Sequence, residues 1–259
     1  MISPRSVYIG IDLAPLPGRS TRSFTLMTLD STLRLQAAIQ CNQAAAQEYL
    51  AKQTDAFVAI ASPRRPGMGL MQQADFRRRL TPPPAPGRWK NYRVAEYLLR
   101  QHNLPIPAAP ASIEKAPAWM RDGFELYTWL AAAGYQDYPH PESPRQLLEA
   151  QPHAAYSALL EHQPFARGTL EGRLQRQLIL TTLRLRIPDP MVFFEEVTRH
   201  KLLHGNLPLQ TVYTPTELDA LAAAYTAFLA ANFPERTCRL GEPEEGQIVL
   251  PVTALQETY

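Results

Sequence analysis

The sequence predicts an α/β fold, a mixed sheet flanked by helices and interrupted by a proline-rich helical insertion. Two apolar runs without a polar break, Val7 to Ile11 and Ala56 to Ile60, read as strands buried on both faces. Between them Ser23 to Leu29 alternates polar and apolar residues, the pattern of a half-exposed antiparallel strand, and Leu33 to Ile39 supplies another, making a meander. Asn42 then caps an alanine-rich helix, Gln43 to Lys52. This order has one economical solution. The helix is a right-handed crossover that lays Ala56 to Ile60 parallel to the first strand, so both end at the same sheet edge. Asp12 closes the first strand there, where α/β sheets hold their ligands, ahead of the turn-rich stretch Ala14-Pro15-Leu16-Pro17-Gly18.

A chain of 259 residues with 45% hydrophobic content suits a single domain spanning 1–259. Net charge is only +2, yet lysine accounts for just Lys52, Lys90, Lys115 and Lys201 among 26 basic residues. Arginine favours bidentate grip on phosphate or carboxylate, and the same bias also follows from genome base composition. Cys41 and Cys238 lie far apart without metal-ligand spacing, which gives no disulfide framework and suits a reducing cytosol. The segment Met1 to Arg5 lacks the apolar core of a signal peptide, and no apolar stretch approaches the roughly 18 residues of a membrane span. A cytoplasmic protein without a membrane partner is the expectation.

From Arg64 to Ser143 prolines cluster at Pro82, Pro83, Pro84 and Pro86 and again at Pro105, Pro107 and Pro110. That density breaks regular structure, so 64–143 reads as a helical insertion around the patterns Tyr92 to His102 and Ala118 to Ala133, the second stopped by Gly134. Gln146 to Glu149 is a third apolar strand ending in an acid, and helices are expected at His153 to His162, Leu170 to Leu185 and Met191 to His204. The clearest local signal follows: Thr214 as N-cap, Pro215 at the first helical position and Glu217 completing a capping box. In that helix Ala220, Ala223 and Ala224 form a small-residue face able to lie close to a sheet, and Asp219 shares it one turn before Ala223. Gln247 to Val252 reads as a final strand.

Asp12, Glu149 and Asp219 can therefore converge at one sheet end. Mg²⁺ and Mn²⁺ prefer carboxylate and water oxygens, and two such ions about 3.5 to 4 Å apart clamp both oxygens of phosphoryl transfer. Spacing alone equally allows three separate surface acids or caps. The blocks Tyr8-Ile9-Gly10-Ile11-Asp12, Phe57-Val58-Ala59-Ile60-Ala61-Ser62-Pro63, Leu147-Leu148-Glu149-Ala150-Gln151-Pro152, Gly168-Thr169-Leu170-Glu171-Gly172-Arg173 and Glu217-Leu218-Asp219-Ala220-Leu221-Ala222-Ala223-Ala224 are together similar to a family of predicted RNase H-like nucleases, domain of unknown function 429. The resemblance runs in order along nearly the whole chain. It implies an RNase H-like fold, a catalytic and metal-binding set of Asp12, Glu149 and Asp219, and Mg²⁺ or Mn²⁺ as cofactor. One departure stands out. Where the family pattern places an aspartate before the Ser-Pro step, this chain has Ala61, whose methyl group cannot ligate a cation, so two-metal catalysis is weakened or lost.

Between Arg64 and Arg100, nine basic residues oppose two acids, a net +7, with Trp89 and Tyr92 interleaved. Basic charge with aromatic faces suits single-stranded nucleic acid, although a solvated basic loop has the same composition. Gly168 to Arg173 can form an anion-holding turn with Arg167 and Arg173 beside it. Arg64, Arg65, Lys90 and Arg173 are the substrate-binding candidates. His200 and His204 have helical metal-pair spacing but no third strong ligand, which favours a polar helix face over zinc. The leading expectation is a metal-dependent nuclease impaired at Ala61, and the alternative is an inactive nucleic-acid- or partner-binding protein of the same fold. Nucleotide binding of the sugar-kinase type is disfavoured because Leu13, Ala14 and Pro15 stand where small polar or glycine residues admit phosphate.

Overall fold

A computed structural model of the chain describes residues 6–13, 23–84 and 89–259. The turn expected at 14–18, residues Met1 to Arg5, and Pro86 and Arg88 of the basic segment lie outside the described residues. Strands β1 (Val7–Asp12), β2 (Phe24–Leu29) and β3 (Leu35–Cys41) form the antiparallel meander, with Tyr8 opposite Leu29 and Phe24 opposite Cys41. Helix α1 (Gln43–Ala51) begins where the Asn42 side chain accepts from the Ala45 N–H at 3.0 Å. It crosses over to β4 (Ala56–Ile60), which runs parallel to β1 with Ile11 paired to Ile60.

The sheet continues through β6 (Arg145–Ala150) to β8 (Ile248–Leu250), both parallel, and ends on the antiparallel β7 (Cys238–Leu240). The two-residue β5 (Gln136–Asp137) pairs with Gln146 and Leu147, while β8 takes Glu149 and Ala150 further along β6. The order is β3-β2-β1-β4-β6-β8-β7. Strands β5 and β7 carry no readable alternation, being two and three residues long, and are absent from the sequence expectation.

Strand alternation divides the core into two layers. Tyr8, Ala59, Leu148 and Ala150 face α9 (Pro215–Asn232), with α5 (Pro152–Leu160) and α6 (Leu170–Thr182) beside it. Ile9, Ile11, Val58, Ile60 and Leu147 face α1 and α4 (Ala118–Ala132) on the other side. The insertion also contributes α2 (Ala74–Arg77) and α3 (Val94–Gln101). The helix expected over Met191 to His204 is instead two short ones, α7 (Val192–Glu196) and α8 (Arg199–Leu203). Val197 is extended there, and the Thr198 hydroxyl accepts from the Lys201 N–H at 3.2 Å, starting a new helix instead of continuing the old one. Among the described residues no helix is long and apolar enough to cross a membrane.

Candidate active site

Helix α9 lies directly on β1, and Gly10 permits it: a Cβ there would come within 1.8 Å of the Ala220 carbonyl oxygen and 2.4 Å of the Ala224 nitrogen. Asp12, two residues on, points to the same face. The capping box fixes where α9 begins, with Thr214 Oγ1 2.7 Å and Thr214 N 2.7 Å from Glu217 Oε2, and so fixes Asp219 in the second turn above the end of β1. Asp12 and Asp219 are buried, at 5% and 8% exposure. Arg167, from the segment between α5 and α6, reaches both: its Nε lies 2.5 Å from Asp219 Oδ2 and its Nη2 3.4 Å from Asp12 Oδ2. Burial raises the Asp219 pKa above the ordinary carboxylate value, outweighing the Arg167 charge that lowers it. Burial acts against the Arg167 charge too, yet Asp219 and Asp12 together raise its pKa.

Glu149 does not join these two acids. It pairs in register with Ile60, so its side chain emerges on the α4 side of the sheet, opposite to Asp12. There Arg93 holds it in a two-pronged grip, Nη2 to Oε1 at 2.6 Å and Nη1 to Oε2 at 2.8 Å, and the Arg64 N–H donates to Oε2 at 2.8 Å. Both side chains are sealed from solvent. Glu96 takes the Arg93 Nε at 2.8 Å, and Glu245, fully buried, accepts the N–H groups of Met68, Leu70 and Val94. Burial opposes the Arg93 charge, but Glu149 and Glu96 outweigh it and raise its pKa. The arrangement locks the insertion onto the sheet. Its signal in the sequence is faint, because Arg93 and Glu149 are 56 residues apart.

Ala61 is the residue that faces the Asp12 side. It follows Ile60 and extends the ladder by donating its N–H to the Ile11 carbonyl at 2.8 Å, and alternation from Ala59 directs its methyl group toward the α9 layer. Among the described residues no group of three His, Cys, Asp or Glu side chains is placed to hold a metal ion. Asp12 and Asp219 suit one Mg²⁺ or Mn²⁺, since such ions are commonly held by one or two carboxylates with water and phosphate oxygens completing the shell. Ala61 offers no side-chain oxygen to a cation.

The other candidates are dispersed. Arg173 donates to the backbone carbonyls of Tyr213 and Val212, both at 2.7 Å, and so anchors the approach to α9 instead of facing a substrate. Arg64 is tied to Asp137 at 2.9 Å and lies over the Tyr127 ring, and Arg65 reaches the same Asp137 at 3.9 Å. Lys90 is exposed and lines a cleft of about 370 Å³ with Lys115, Gln72 and Asn91. His200 and His204 stack on one another at 4.2 Å, with His204 Nδ1 at 2.8 Å from the His200 carbonyl, an exposed helix face. Arg167 is the site residue that sequence reasoning noticed only as a cation beside a turn. Nothing in its spacing links it to acids 155 and 52 residues away.

No curated protein and no solved structure matches the chain. Residues 10–245 match a family model described as protein of unknown function (DUF429), and the chain belongs to that family.

Proposed function

We propose that the protein is a divalent-metal-dependent phosphodiesterase of RNase H-like fold that acts on nucleic acid with one Mg²⁺ or Mn²⁺ at Asp12 and Asp219. The observation that carries this reading is that two buried carboxylates, one from the end of the central strand and one from the helix packed on it, lie within the span of a single guanidinium. The antiparallel meander continuing into parallel strands supports the fold assignment. When bound, such an ion supplies Lewis-acid polarisation of a phosphoryl oxygen and an activated water. Asp12 and Asp219 would hold the ion from two elements whose close approach Gly10 permits, and Ala61 would offer a second ion no oxygen. The cleft lined by Lys90 and Lys115 offers two cations to a strand's phosphates away from the two acids. A cytoplasmic setting belongs to the same proposal and agrees with Cys41 and Cys238 being free thiols.

A second reading, binding of nucleic acid without hydrolysis, is favoured by the presence of Ala61 and by Arg167 already neutralising the acids. Hydrolysis of single- and double-stranded DNA and RNA in Mn²⁺ separates the two. Asp12→Asn and Asp219→Asn should each lower turnover by about 100-fold or more, in the range seen when a group essential to catalysis is removed. Turnover unaffected by either substitution contradicts the metal reading, and strand binding with no turnover in the unmodified protein supports the second.

A further inference from the structure

We infer that Arg167 is a built-in cation that stands in for the divalent ion, so that its grip on Asp12 and Asp219 and ion binding exclude one another. The inference rests on the proposed reading of these two acids as the ion's ligands. Two buried carboxylates on one side of the sheet repel each other unless a positive charge lies between them. Arg167 provides it, contacting Oδ2 of each carboxylate.

The contact is built into the fold. The Ala166 carbonyl accepts from the Thr169 N–H at 3.2 Å and from its hydroxyl at 2.9 Å, and it sits where a Cβ on Gly172 would be, 2.0 Å away. Buried Arg176 donates to the carbonyls of Phe165 at 2.8 Å and Gly172 at 2.9 Å, and Gln175 accepts from the Phe165 N–H at 2.8 Å. The Gly168 to Arg173 block thus presents Arg167 from a clamped backbone. On its far side the chain is open: nothing lies within 4 Å of a Cβ placed on Gly168, and the Arg167 side chain is 43% exposed. A side chain held at its root and open at its flank can leave the acids without unfolding the loop. Arg176 is the only other cation that bears on Asp219 among the described residues, and its guanidinium is committed to carbonyls.

Calorimetric titration with Mn²⁺, with thermal unfolding in EDTA and in Mn²⁺, tests this on the unmodified protein, Arg167→Gln and Arg167→Lys. Mutual exclusion predicts that Arg167→Gln binds Mn²⁺ about tenfold or more tightly than the unmodified protein, with Arg167→Lys between them. It also predicts that Arg167→Gln melts lower in EDTA and regains most of the loss in Mn²⁺. Equal or weaker binding by Arg167→Gln, where the unmodified protein does bind, overturns the inference and leaves the metal-site reading intact. Binding by Arg167→Gln alone upholds the inference and removes the metal-dependent activity from the unmodified protein. Absence of binding in all three overturns both. Should Arg167→Gln fail to fold in EDTA, Arg167→Lys carries the comparison, and its affinity must exceed that of the unmodified protein.

Discussion

Glu149 and Glu96 both touch Arg93. Glu149 has the shorter, two-pronged pair and the Arg64 N–H. Burial raises the Glu96 pKa above the ordinary carboxylate value against the lowering effect of Arg93. Glu149→Gln takes the two-pronged partner from the sealed Arg93, which keeps Glu96, and should destabilise the fold by up to about 3 to 5 kcal/mol. Its Mn²⁺ affinity should stay unchanged, because Glu149 lies on the other side of the sheet from Asp12. Glu96→Gln should cost less. A carboxyl group whose pKa is raised by folding stabilises the fold where it is protonated, and that contribution is lost as pH rises through the raised value. Glutamine has no proton to lose, so the deficit of Glu96→Gln should be largest in the acid range and shrink toward neutrality. Urea unfolding of the variants across that range checks both statements. A Glu96→Gln deficit that grows with pH, or a Glu149→Gln protein of normal stability, contradicts them.

At the scale of elements, the contact between α9 and β1 decides whether Asp219 reaches Asp12. Gly10→Ala places a methyl group 1.8 Å from a helix carbonyl, a clash with backbone on both sides that only separation of strand and helix relieves. Overpacking of this kind costs typically 1 to 3 kcal/mol and more where neither side can yield, so a loss of about 3 kcal/mol is expected in urea. A Gly10→Ala protein as stable as the unmodified chain shows that α9 does not sit on β1 as described. The elements that sequence reading located well are those with local determinants. The Thr214, Pro215 and Glu217 box needs only neighbours, and the runs Val7 to Ile11 and Ala56 to Ile60 need only to be apolar. The break at Val197 and Thr198 has a local cause as well, but threonine, although favoured at caps, also occurs inside helices, and the apolar pattern runs across it.

Over the whole molecule the sheet acts as a divider. One face carries Asp12, Ala61 and, through α9, Asp219; the other carries Glu149 with the lock that holds the insertion. The sequence shows that Asp12 and Glu149 both close apolar strands, which makes them look alike. It does not show which face each takes, because a shift of one residue in the pairing of β6 with β4 turns Glu149 to the face of Asp12. Arg93 and Arg167 were illegible for a related reason. Their partners are set by tertiary placement, across 56 and 155 residues, not by any periodicity.

The central claim, that the ion site is formed by Asp12 and Asp219 with Ala61 at its missing corner, is tested most directly by Mn²⁺ calorimetry on the unmodified protein, Asp12→Asn and Ala61→Asp. One ion should bind the unmodified protein and none Asp12→Asn, and Ala61→Asp should raise affinity about tenfold or more by adding a carboxylate ligand. Binding that survives Asp12→Asn, or that Ala61→Asp leaves unchanged, contradicts it.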